Sequence, residues 1–277
     1  MGNEEMSALF DEWNKSELES FLIEITAKIL AKKDDLTDDG YVVDKILDKT
    51  GMKGTGRWTV QEAAEQSVAA PSIAAALDSR YLSARKSERE AASKLLEGPT
   101  EKPPVDKEQL LSDLKKALYC AKVTSYAQGL GIIKAASDKK DWGVDLSLCA
   151  RMWRGGCIIR AQLLTKISDA LQKNQDLTNL LVDPTFAKEI NERHMAWRRV
   201  VSVGTASGIA TPALSATLGY YDQYRRGRLP ANLIQAQRDF FGGKFIPRLL
   251  SLVSSVQQDS SHFTFHFLTR RTHIRAH

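Results

Sequence analysis

Three glycines, a lysine and a threonine fall within Gly51-Met52-Lys53-Gly54-Thr55-Gly56, just ahead of a stretch that reads as helical. Such a loop offers unobstructed backbone N–H groups, one ammonium, one hydroxyl and a following helix N-terminus, all of which suit a phosphate. The Walker spacing, with four residues between the first glycine and Gly-Lys, is not met, and no GxGxxG follows a strand. Local evidence leaves two readings open, a phosphate cradle and a plain loop opening a helix, and favours the plain loop because short glycine-rich matches are weak. Arg80, in "LDSRYLS", reads by itself as a solvated helix residue. Cys120, Cys149 and Cys157 are odd in number and lack a CxxC pair, so three buried thiols are expected rather than disulfides or zinc. His262, His266, His273 and His277 lie in the tail without metal-ligand spacing, and no metal site is expected. Trp58, Trp153 and Trp197 are read as core or interface packing.

The elements that must position these groups are helical. The 277 residues are 43% hydrophobic and 26% charged, enough for one large domain or two small ones. Leu18, Phe21, Leu22, Ile25 and Ile29 recur at helical steps behind a Ser16/Glu19 capping box, and Thr59/Glu62 repeats that spacing. Pro71, Pro184 and Pro212 suit first helical turns, the last two behind the cap residues Asp183 and Thr211. Glu97 to Asp106 reads as a loop, followed by a long helix through Leu110, Leu111, Leu114, Leu118 and Ala121. Ile158, Ile159, Leu163, Ile167 and Leu171 predict another. Strand-like alternation is nearly absent before the tail, so the fold class expected is all-α.

The halves also match each other at a shift of 140 to 141 residues. Trp13 falls on Trp153, Val68 on Ile209, Pro71 on Pro212, Ile73 on Leu214 and Leu77 on Leu218, which points to two related helical units packed together. The net charge of +5 is uneven, since residues 244 to 277 hold five Lys/Arg against Asp259 alone. No apolar run is long enough to span a membrane and the acidic N-terminus is unlike a signal peptide, so a cytoplasmic protein is expected.

Four segments, "FDEWNKSELESFLIEIT", "KILDKTGMKGTGRWT", "MWRGGCIIRAQLL" and "RLPANLIQAQRDFFG", closely resemble 6-phosphogluconate dehydrogenase, the decarboxylating enzyme of the oxidative pentose phosphate pathway, in its plant-like form. The resemblance runs from about Asn3 to Gly242. It implies an all-helical, internally duplicated C-terminal domain over residues 1–243 that forms a homodimer and much of the sugar-phosphate site, with 244–277 a divergent, mobile basic tail. It also implies that Lys53, Thr55 and Arg80 contact the phosphate of 6-phosphogluconate, and that Arg238 serves the neighbouring subunit's site. A lysine point charge and a forked arginine form a sensible pair for a phosphate dianion.

The departures from the family pattern carry their own expectations. The family's nucleotide-binding domain, its active-site asparagine and glutamate in an "HNGIEY"-type segment and its catalytic lysine have no counterpart here, so no catalytic residue is assigned, NADP is expected only for the complete enzyme, and turnover by this chain alone is not expected. Lys244 stands where a family histidine reaches the neighbouring subunit's substrate. An altered reading of the gene, such as intron read-through or a frameshift, is the expected origin of the tail, and the plastid is the alternative compartment for the full-length product. The competing functional class is a noncatalytic helical binding module whose basic tail engages nucleic acid or an acidic protein; it rests on charge, since no nucleic-acid motif is present.

Overall fold

The computed structural model describes residues 1–240 apart from Asp38 and Met52. The histidines His262, His266, His273 and His277, Lys244 and the rest of the expected tail therefore lie outside the described residues. The helices are α1 Asn3–Trp13, α2 Phe21–Ala31, α3 Val42–Lys45, α4 Thr55–Glu65, α5 Pro71–Ala84, α6 Lys86–Ala92, α7 Lys107–Lys140, α8 Leu146–Met152, α9 Leu163–Lys173, α10 Pro184–Ala206, α11 Pro212–Tyr224 and α12 Ala231–Phe240, with a 3-10 turn at Leu180–Val182. Among the described residues there is no sheet, only isolated antiparallel bridges at Ser20/Ala161 and Lys33/Tyr41. Two compact units result, Met1–Arg225 and a second beginning at Arg226 that contains α12.

The first unit is built on α7, whose 34 residues span about 50 Å. Asp106 caps it by accepting from the Glu108 and Gln109 amides, and Asp141, at φ 54°, ends it in the left-handed region. Tyr119, Cys120 and Val123 of α7 join Leu163, Leu164 and Ile167 of α9, Phe186, Ile190 and Trp197 of α10, and Leu18 in one core. Burial of this apolar surface is the main stabilising term. Polar ties then fix the register. Arg199 of α10 donates through Nε and Nη2 to the buried Asp113 of α7 at 2.7 and 2.8 Å. Gln128 of α7 accepts from the amide and hydroxyl of Ser72 at 3.1 and 2.6 Å, which holds the start of α5 against α7.

The proline starts stand where expected, at α5, α10 and α11, and Asp183 caps α10. Thr211 differs: it makes no side-chain cap, and its hydroxyl lies 3.1 Å from that of Ser215 instead. The Ser16/Glu19 box does not form either. Ser20 caps α2, and Ser16 donates to the Trp13 carbonyl within a turn that wraps the fully buried Leu18. Ile158 and Ile159 precede α9 rather than joining it, because Arg160 and Gln162 are committed to backbone bonds with Phe21 and Glu19. Cys120 is buried, but Cys149 and Cys157 are only partly so, since their segments lie at the edge of the packing.

The repeat is visible in the backbone. Helices α5 and α11 both begin at proline and pack together, each following a helix that ends in the same left-handed turn, at Ser67 (φ 55°) and Gly208 (φ 68°). Val68 N donates to Ala63 O at 2.8 Å, and Ile209 N to Gly204 O at 2.8 Å.

Candidate phosphate site and an apolar groove

Two segments converge to place the expected phosphate contacts. Asp48 accepts from Lys86 at 2.6 Å and from Arg89 at 3.1 Å, and those cations hold its carboxyl down to about 2. The same Arg89 nitrogen also reaches the backbone carbonyls of Asp48 and Ser83 at 3.0 and 3.2 Å. Thr50 then uses both its amide, at 3.1 Å, and its hydroxyl, at 2.6 Å, on the Ser83 hydroxyl. Arg80 closes the series by donating through Nη2 to the Gly51 carbonyl. Residues 48 to 51 are thus laid along the end of α5 and the start of α6.

Glycine then lets the chain turn sharply into α4. Gly54 is buried at φ 105°, a conformation that calls for glycine, and an added Cβ would also press on the Trp58 ring at 3.3 Å. It permits α4 to begin at Thr55, earlier than the start near Thr59 that the sequence spacing predicts. Thr59 consequently sits inside the helix and donates to the Thr55 carbonyl at 2.9 Å. Among the described residues no side chain caps this N-terminus, which leaves its first N–H groups to another acceptor. Gly56 faces Leu77 of α5, and a cavity of about 320 Å³ opens there, lined by Gly56, Ser72, Arg80 and Ser125.

Lys53 and Thr55 are exposed at this turn and Arg80 is exposed on α5, all within the first unit. Arg238 belongs to the second unit, exposed on α12. A guanidinium has five N–H donors, so the Gly51 bond orients Arg80 while leaving it donors for an anion. Asp48, Thr50, Ser83 and Arg89 carry no motif, and only the three-residue spacing of Lys86 and Arg89 hints at a shared anionic partner.

A larger groove of about 1140 Å³ borders α4, lined by Thr55, Trp58, Glu62, Leu118, Lys122, Tyr126 and other largely apolar residues. Trp58 is 57% exposed here and so is not a core residue of this chain, whereas Trp197 is fully buried and Trp153 packs at the core's edge. Lys122 is half-buried, and burial lowers its pKa to about 8. Among the described residues no group of three His, Cys, Asp or Glu could hold a metal ion, and no helix is long and apolar enough to cross a membrane.

The fold and this site define an all-helical domain, duplicated about a central helix, with an anion-suited loop pinned to one helix. The model of the family "6-phosphogluconate dehydrogenase, C-terminal domain" matches residues 1–262, and the chain belongs to that family. It is 57% identical over 256 residues to 6-phosphogluconate dehydrogenase, decarboxylating 2, chloroplastic, of Spinacia oleracea, covering 90% of this chain and 48% of the relative. It is likewise 57% identical over 247 residues to decarboxylating 2 of Arabidopsis thaliana, covering 87% and 51%. Among solved structures, Plasmodium falciparum 6-phosphogluconate dehydrogenase superposes with a TM-score of 0.86 at 41% identity, over 96% of this chain and 56% of that one. That protein was solved in apo form, with its cofactor NADP+ and with its substrate 6-phosphogluconate. The chain spans about half the length of the curated relatives it matches.

Proposed function

We propose that this chain supplies the substrate-phosphate site and the dimer-forming part of an NADP-dependent 6-phosphogluconate dehydrogenase, the enzyme that oxidises and decarboxylates 6-phosphogluconate to ribulose 5-phosphate. The observation that carries this reading is the bond from Arg80 to the Gly51 carbonyl, which draws the glycine loop and the Arg80 helix to one place. Lys53 gives the phosphate dianion a mobile point charge, Arg80 a planar fork held in one orientation, and Thr55 a hydroxyl together with the uncapped start of α4. Arg238 acts on the neighbouring subunit's phosphate, so a complete site belongs to the dimer. The chemistry proposed for this chain is binding and orienting the sugar acid, with hydride and proton transfer left to the complete enzyme.

Calorimetry with 6-phosphogluconate and plain gluconate tests the reading, with light scattering to fix the oligomeric state. The phosphorylated acid is expected to bind more tightly. Arg80→Ala should abolish most of the difference, Lys53→Ala should reduce it, and Arg238→Ala should matter only in the dimer. Loss of a charge-assisted partner costs about 2 to 5 kcal/mol when desolvated, and the exposure of Arg80 puts the effect at or below the lower end. Equal affinity for the two acids in a folded wild-type dimer would return the loop to a plain turn.

A further inference from the structure

Helix α5 carries Arg80 but is not capped from its own sequence. Pro71 at its first position has no N–H and the preceding Ala70 has no side-chain acceptor, which leaves the Ser72 amide as its first donor. Gln128 of α7 takes the capping role across 56 positions. Its Oε1 accepts from the Ser72 amide at 3.1 Å and from the Ser72 hydroxyl at 2.6 Å. Ser125, one turn earlier on α7, donates its hydroxyl to that of Ser72 at 3.4 Å, so among the described residues every side-chain hydrogen bond between α5 and α7 ends on Ser72. Gln128 and Ser72 are 1% and 4% exposed, and Nε2 of Gln128 is buried with no partner among the described residues. An unpaired buried donor is destabilising, and methionine would fill similar space without one. What glutamine supplies here is the acceptor Oε1.

The corresponding helix of the other half folds without such a tie. The shift that carries Pro71 onto Pro212 carries Ser72 onto Ala213, which has no hydroxyl, and α11 begins with no side-chain cap. The tie belongs to the half that bears Arg80. Ser72 and Arg80 lie just over two turns, about 12 Å, apart along α5, and both line the 320 Å³ cavity that Gly56 also lines. We propose that Gln128 is a positioning residue for phosphate recognition, a role that rests on the phosphate reading above. By anchoring the first turn of α5 to α7, it sets where Arg80 presents its guanidinium beside the Gly51 carbonyl. A helix is stiff, so a hold on its first turn carries through to a side chain two turns on.

A double-mutant cycle on the full 277-residue chain tests this, read by calorimetry with 6-phosphogluconate and gluconate. Gln128→Met should weaken 6-phosphogluconate binding by about threefold or more, within the range of couplings between residues that share a network, and leave gluconate binding unchanged. Gln128→Glu keeps the acceptor for Ser72 and should restore most of the affinity. In an Arg80→Ala background Gln128→Met should cause no further loss, because its effect passes through Arg80, whereas a purely structural contribution would add in full. Hydrogen exchange at the Ser72 amide, faster in Gln128→Met than in the wild type, reads the tie itself. If Gln128→Met does not fold, Ser72→Ala, which keeps the amide bond and loses the hydroxyl one, takes its place in the cycle with the same signs. A preference for the phosphorylated acid undiminished by Gln128→Met, or an equal loss with and without Arg80, overturns the positioning role and leaves the phosphate reading standing. Equal affinity of the wild type for the two acids overturns that reading and the positioning role with it.

Discussion

Ser20 and Ala161 face each other in an antiparallel bridge, in which Phe21 N donates to Arg160 O at 3.0 Å and Gln162 N donates to Glu19 O at 3.1 Å. Each bond is the other with both partners exchanged across the repeat, a shift of 141 residues, so the two halves meet on a local two-fold. The same shift carries Ser67 onto Gly208, and it relates two positions that ask the same of the backbone with different residues.

Ser67 holds φ 55° with a side chain that disfavours it, whereas Gly208 holds φ 68° with none. Ser67→Gly should therefore stabilise by about 0.5 kcal/mol, the relieved strain being partly offset by a more flexible unfolded chain. Gly208→Ala should destabilise by about 2 kcal/mol or more, because its Cβ would also lie 2.7 Å from Pro99 Cδ. Thermal melts of the two variants should move in opposite directions.

Asp48, paired with Lys86 and Arg89, ties the start of the glycine loop to α6. Asp48→Ala should weaken 6-phosphogluconate binding by up to about fivefold, as expected for exposed charge contacts, while leaving gluconate binding unchanged. Asp48→Asn should lie between, since it keeps one acceptor. Calorimetry on the three proteins gives the ranking, and an equal loss for both acids would show general unfolding instead.

Trp197 is fully buried, lies 5.9 Å from the Tyr221 ring and donates to the Leu214 carbonyl at 3.2 Å, joining α10 to α11. Trp197→Ala should cost about 3 to 5 kcal/mol. Trp197→Phe keeps most of the apolar area and loses the donor, so urea unfolding should place it well above the alanine variant.

Stability should fall in two steps on acidification. His194 accepts from Arg198 Nε at 3.3 Å, and burial, with Arg198 and Arg225 nearby, lowers its pKa below 6.5. The folded state resists its protonation, so stability is full above 6.5 and declines as pH drops below that value. Asp222 is held at about 2 by its hydrogen bonds with Arg198 and then Arg225. Its contribution is present above the unfolded value of about 3.9 and is lost as pH falls toward 2. In urea titrations His194→Gln should remove the upper step and leave the lower.

Much of the fold was legible because its signals are local. Proline at the first turn of α5, α10 and α11 and the aspartate cap of α10 act within three or four residues. The helix starts expected at Thr59, Ser16 and Ile158 each give way to a tertiary demand: the left-handed Gly54, the burial of Leu18 and the bridge at Ala161. For the site, the sequence could name Lys53, Thr55, Arg80 and Arg238 by resemblance but not their supports.

Periodicity, caps and motif order are written along the chain, so the helical class, the 141-residue repeat and the family were all readable from the residues in order. Packing alone settles that Arg80 meets the Gly51 carbonyl across 29 positions, that Arg89 meets Asp48 across 41, and that Lys122 lines a groove without a carboxylate partner among the described residues. Those contacts join segments with no shared periodicity. Their geometry exists only once α5 is seated on α7 through Ser72 and Gln128 and the chain before Gly54 is laid along α5 and α6.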